Sequence, residues 1–126
     1  FYVIEKCDKI VVTSEPEYYY LKRSDSLVNN VIESTILDYT EIIIQRYLYT
    51  SQHIKELNKY NNYYLAKTLI TAYNDIEKLE KISDKMQEEY QKLYNLVKGI
   101  IENNKNDIDE LFNSNQKTAL EKIIKQ

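Results

Sequence analysis

The stretch LAKTLITAYNDIEKLEKISDKMQEEYQKLYNLVKGI, residues 65–100, sets Leu65, Leu69, Ala72, Ile76, Leu79, Ser83, Met86, Tyr90, Leu93, Val97 and Ile100 at alternating steps of four and three. A repeat of about 3.5 residues marks a coiled-coil seam. The spacing therefore predicts one long helix, running to about Glu102, whose seam must be covered by another helix. Upstream, Val28, Ile32, Ile36, Tyr39, Ile43, Tyr47, Thr50, Ile54 and Leu57 recur at about 3.6 residues and predict that partner. Its start reads as Ser14-Glu15-Pro16-Glu17, a cap followed by a first-turn proline, or as a later break at Ser24-Asp25-Ser26. Ile42, Ile44, Leu48 and Tyr49 widen its apolar surface, so it should touch more than one neighbour.

Between the two rows lies Asn58-Lys59-Tyr60-Asn61-Asn62. Asparagine tolerates a left-handed backbone and caps helices at either end, which predicts the tip of a helical hairpin here. Downstream, Gly99 and Asn103-Asn104-Lys105-Asn106 read as a helix end and turn. Asn106 should cap a last helix carrying Ile108, Leu111, Phe112, Ala119, Leu120, Ile123 and Ile124, kinked at Asn113-Ser114-Asn115. In residues 1–13, Val3, Cys7, Ile10 and Val11 fall at helical spacing, although the β-branched content also suits a strand. The expected fold is all-α: an antiparallel bundle of three to four helices built on a long helical hairpin, with residues 1–126 as a single domain. At 1.5 Å per residue the long helices would reach about 65 and 60 Å, so the end around Tyr60 would project as a two-helix finger.

Composition supports the helical reading and narrows the partners. Sheets and tight turns consume glycine and proline, and this chain of 126 residues has one of each. A net charge of −3 argues against nucleic acid. The whole excess of acid falls in residues 25–54, where Asp25, Glu33, Asp38 and Glu41 are offset by Arg46 alone. Charge that sparse predicts a helix surrounded by protein. Cys7, the one cysteine, cannot form an internal disulfide and reads as a buried thiol. No apolar run approaches the roughly 18 residues of a membrane span, and no signal peptide is visible. The opening residue is Phe1, which reads as a mature product or a piece of a longer chain.

Catalysis needs a nucleophile, a base and an orienting group, or a set of metal ligands. Cys7 and His53 stand alone of their kinds, and His53-Ile54-Lys55-Glu56 reverses the Glu-x-x-His order of di-iron bundles. No catalytic residue, cofactor site or metal site is expected, and no small-molecule substrate. Acids at Glu88, Glu89, Asp107 and Asp109 read as solvated faces or helix starts, with Glu88 and Lys92 as an i,i+4 pair. Ser83 and Thr50 put hydroxyls into apolar rows, which suggests a loosely packed bundle able to rearrange. Thirteen tyrosines and no tryptophan favour a contact surface, since tyrosine joins apolar area to a polar tip. The expected partner-binding residues are Tyr47, Tyr49, His53, Tyr60, Tyr63 and Tyr64 at the hairpin tip. Their partner would be another protein or a second copy, with membrane contact as the alternative.

The runs Asn58-Lys59-Tyr60-Asn61-Asn62-Tyr63-Tyr64 and Asn103-Asn104-Lys105-Asn106, in a chain rich in isoleucine and lysine, look like the product of an AT-rich genome. In composition the chain resembles the helical secreted and surface proteins of malaria parasites, including the sporozoite cell-traversal helical-bundle type. That resemblance implies a secreted or cell-surface factor in invasion or host-cell traversal. Poxviruses, spirochaetes and clostridial phages write similar sequences, and a viral or phage inhibitor or immunity-type protein is the other reading.

Overall fold

A computed structural model of the chain describes residues 6–15 and 31–125. The chain divides into two units, residues 1–30 and 31–126. In the first unit, residues 6–15 are exposed and form no helix. The helical spacing of Cys7, Ile10 and Val11 is therefore not used, and Cys7 is exposed rather than buried. Expectations for Pro16, the Ser24-Asp25-Ser26 break and Val28 lie outside the described residues.

The second unit is all-helical among its described residues. Helix α1 spans Glu33–His53 and is followed by a 3-10 turn, Lys55–Leu57. Helix α2 spans Asn58–Ile76, α3 spans Asp84–Leu111 and α4 spans Ser114–Ile124. At 21 residues α1 is about 32 Å long, half the expected length. It starts at Glu33 because Ile32 is extended (φ −126°, ψ 146°). It stops at Ile54 (φ −135°, ψ 73°), ahead of the asparagines expected to turn the chain. Asn58, Asn61 and Asn62 instead form the opening turns of α2. No described residue has a positive φ, so the left-handed tolerance of asparagine is nowhere used.

The long helix expected over residues 65–100 is two helices. Residues 77–83 are not helical, and Ser83 (φ −74°, ψ 161°) caps α3 by accepting a hydrogen bond from the Met86 N–H at 3.2 Å. The Ser83 N–H donates to Glu33 Oε2 at 3.0 Å, and its hydroxyl is also bonded to the Glu33 carboxylate. The start of α3 is thereby tied to the start of α1. Farther on, Asn104 (φ −141°, ψ 40°) only kinks α3, and the true break comes at Asn113. There the side chain accepts from the Gln116 N–H at 2.9 Å while Gln116 Oε1 accepts from the Asn113 N–H at 3.0 Å, a reciprocal capping box. The predicted turn and kink have exchanged places, and Gly99 lies inside α3.

The row of residues 65–100 is buried over most of its length, whereas in α1 only Ile36 and Thr50 of the expected row are buried, joined by Thr40 and Ile44 beside it, and Ile32 is exposed. Leu65, Ala66, Leu69 and Ala72 of α2 and Met86, Leu93 and Val97 of α3 are wholly inaccessible, with Ile36, Ile108, Phe112, Leu120 and Ile123 beside them. Helix α2 packs on α1, α3 and α4. Truncating a leucine buried this well costs about 2–5 kcal/mol. The exposed pair Lys85–Glu41 at 2.8 Å contributes at most about 1 kcal/mol, so the core decides the fold. Lys92 pairs with Glu89 at 2.5 Å rather than with Glu88.

Two predictions follow from this packing. Ser83→Ala should lower the unfolding free energy by about 1–2 kcal/mol, through loss of the cap and the Glu33 contact. Ser51→Ala, whose hydroxyl bonds only the Leu48 carbonyl of its own helix, should change it by less than about 0.5 kcal/mol. Equal effects in urea melts would mean that residues 76–84 are continuous helix. The second concerns phenols in the packed interior. Burial raises the Tyr39 hydroxyl well above the ordinary range, and Asp75, which accepts its hydrogen bond at 3.4 Å, adds to the shift. Burial also raises Tyr47 and pushes Tyr90 up to about 12. A phenol raised in the folded state contributes stability that is whole below its unfolded pKa near 10 and is lost as pH climbs through the folded value. Absorbance titration should leave Tyr39 and Tyr90 largely un-ionised at pH 11; complete ionisation by pH 11 would contradict the packing.

Candidate functional site

Helical geometry sorts the six expected contact residues into three environments. Tyr63 is half-buried, its ring 5.3 Å from Phe112 and edge-on at 82°. It belongs to the joint between α2 and the end of α3. Tyr47 is half-buried and borders a shallow groove against α3, lined also by Leu96, Gly99 and Asn103. The remaining four, Tyr49, His53, Tyr60 and Tyr64, stand on the outer faces of α1 and α2.

On α1, the steps from Ile42 to Arg46, Tyr49 and His53 are four, three and four, which places them along one side. Ile42 is 62% exposed. The Tyr49 and His53 rings stack at 4.3 Å and 16°, and His53 Nδ1 lies 2.8 Å from the Tyr49 carbonyl oxygen. On α2, Tyr60 and Tyr64 are one turn apart and 55% and 45% exposed. Arg46 joins the two rows, its guanidinium carbon 5.1 Å from the centre of the Tyr64 ring. Among the described residues Arg46 forms no ion pair, so its contact is with the ring alone. Arginine over tyrosine is a weakly hydrated cation on an apolar plate, a combination that recurs where proteins bind one another.

The asparagine-rich stretch does not project as a finger. Asn61 and Asn62 are buried, and the Asn62 amide donates to Asp107 Oδ2 of α3 at 2.8 Å. Lys59 pairs with Glu110 one turn farther along. The last part of α3 thus covers the start of α2. Among the described residues Asn61 Nδ2 and Asn58 Oδ1 have no hydrogen-bond partner at this joint, and neither has Thr40 Oγ1 in the α1 core face. Thr50, the hydroxyl flagged in the sequence, is satisfied by the Arg46 carbonyl at 2.8 Å. Arg46, counted in the sequence only as the sole cation of residues 25–54, was not among the expected contact residues.

Among the described residues no group of three or more histidine, cysteine or acidic side chains is placed to hold a metal ion. No described helix is long and apolar enough to cross a membrane. The chain matches no family model, no curated protein and no solved structure.

A double-mutant cycle of Arg46→Ala and Tyr64→Ser should return a coupling of about 0.5–1 kcal/mol in urea unfolding, the scale of an exposed cation–ring pair. Strictly additive effects would remove the pair as the link between the two rows.

Proposed function

We propose that the chain is a non-enzymatic protein-interaction module whose contact surface is the outer face of α1 and α2. The observation that carries this reading is Arg46 lying on the Tyr64 ring, without a carboxylate among the described residues, beside exposed Tyr60 and the Tyr49–His53 stack. Such groups lose little conformational entropy on docking and bury large area, as interface anchors do. The finer architecture we infer is antiparallel for α1 with α2 and for α2 with α3. Tyr39 bonded to Asp75, with Arg46 on Tyr64, supports the first pairing. Asn62 bonded to Asp107, with Lys59 on Glu110, supports the second. Combined with the compositional resemblance above, the reading becomes a factor that engages a host-cell surface protein during invasion or traversal.

A second reading, a membrane-active bundle that opens to expose its apolar faces, draws support from the unpartnered buried polar atoms of Asn61, Asn58 and Thr40. Each lowers the cost of separating the helices that enclose it. Vesicle leakage separates the two, because a binding module leaves liposomes intact.

The substitutions that test the surface are Tyr60→Ser and Tyr64→Ser together, sparing Tyr63 because it packs on Phe112. Retention of the labelled chain on host cells should fall at least about tenfold, the scale of losing one hot-spot residue or more, with the far-ultraviolet circular dichroism unchanged. Undiminished retention would overturn the proposed face.

A further inference from the structure

The outer face of α1 and α2 is basic in a chain whose net charge is −3: residues 42–74 carry Arg46, Lys55, Lys59 and Lys67 against Glu56 alone. Lys59 is spent on Glu110 of α3. Arg46 and Lys67 form no ion pair among the described residues and lie over rings instead. The Arg46 guanidinium is 5.1 Å from the centre of Tyr64, and Lys67 Nζ is 6.0 Å from the centre of Tyr63. Those two rings meet edge to face at 5.1 Å, so cation, ring, ring and cation make one continuous line. The exposed α2 row Tyr60, Tyr64, Lys67 and Thr71 holds no acid, and neither does the α1 row Ile42, Arg46, Tyr49 and His53. A cation on an aromatic plate keeps its charge while giving up part of its water, which leaves it ready for an anion. By contrast, the groove between α3 and α4 is lined by Asp109 and Glu121 as well as by Lys105, Lys117 and Lys125, and favours neither sign of charge.

Length decides what kind of anion. Beyond Ile42 the α1 row continues to exposed Asp38, and beyond Thr71 α2 continues to Asp75, which accepts a hydrogen bond from Tyr39. Past His53, Glu56 stands in the 3-10 turn. The positive strip between those acids runs from Ile42 to His53, about 17 Å at about 1.5 Å per residue. A nucleic-acid strand or an anionic bilayer extends past both ends and meets carboxylates there. About five residues of extended peptide, at about 3.3 Å each, do not. Building on the interaction reading of this face, we propose that it takes an acidic peptide segment of its protein partner, with carboxylates on Arg46 and Lys67 and apolar side chains on Tyr60 and Tyr64.

The test is fluorescence anisotropy of the whole chain with a fluorescein-labelled peptide of alternating glutamate and leucine, beside glutamine–leucine and lysine–leucine peptides of the same length. Saturable binding of the glutamate peptide is expected, at least about tenfold tighter than that of the glutamine peptide and weakened as salt rises from about 0.05 to about 0.5 M. Arg46→Glu with Lys67→Glu should reverse the order at unchanged helicity, so that the lysine peptide binds best; cations that merely support the fold would give no reversal. Equal affinity for the three peptides, no saturable binding, or an unreversed preference in the double variant overturns the proposal. So does tighter binding of an oligothymidylate or of phosphatidylserine vesicles, or sedimentation showing a second copy seated on the face, as a dimer that the double variant dissociates. Retention on host cells separates this proposal from the reading beneath it. Retention lost in Tyr60→Ser with Tyr64→Ser but unmoved by Arg46→Glu with Lys67→Glu leaves the contact face standing and removes its acidic partner; retention unmoved by either pair removes the face itself.

Discussion

The strip of α2 formed by Leu65, Ala66, Leu69 and Ala72 is the contact on which residues 31–126 depend. It is sealed from water because α1, α3 and α4 all pack on this one helix. The two alanines matter as much as the leucines: small side chains let neighbouring backbones approach, and the approach removes water from the larger groups. Burial of this kind is worth several kilocalories per side chain, whereas the ion pairs across the surface are worth a fraction of one each. Charge therefore decorates the arrangement, and shape fixes it.

Two polar ties set the register of that packing. Glu33 holds the Ser83 cap, joining the starts of α1 and α3, and Asp107 holds Asn62, joining the start of α2 to the end of α3. Each satisfies backbone or amide groups that would otherwise be stranded at a helix end or inside the core. Between them the outer faces of α1 and α2 are left to carry aromatic rings and Arg46, and the α3–α4 groove is left open at the opposite end of the sequence.

The apolar row of α2 and α3 was legible because periodicity reports burial directly; in α1 the buried stripe runs through Thr40 and Ile44, which a row drawn through Tyr39 and Ile43 misses by one position. The break in the seam was not legible, for a geometric reason. The row of α2 ending at Ile76 and the row of α3 starting at Met86 are joined through Leu79 and Ser83 in unbroken heptad phase, so spacing cannot tell a linker from a helix. The signal lay in side-chain type: Ser83 followed by Asp84 is an N-cap with an acid in the first turn. Likewise Asn113 with Gln116 three residues on spells a capping box that Asn106 lacks. Asn61 and Asn62 deceived because their partner Asp107 is 45 residues from Asn62 in sequence, and tertiary contact overrode local preference. Of the six expected contact residues, the exposure of Tyr60 and Tyr64 and the stacking of Tyr49 on His53 follow from position on a helix face. The packing of Tyr63 on Phe112 and of Arg46 on the Tyr64 ring, and the α3–α4 groove, all required helices that sequence alone does not bring together.

Native-state hydrogen exchange, resolved to single amides, tests the central packing most directly. Amides of residues 65–72 should open only with global unfolding, while those of residues 78–82 exchange orders of magnitude faster as a linker between two helices. Equal protection from residue 65 through residue 100 would mean one continuous rod, and the arrangement of three helices around α2 would be wrong.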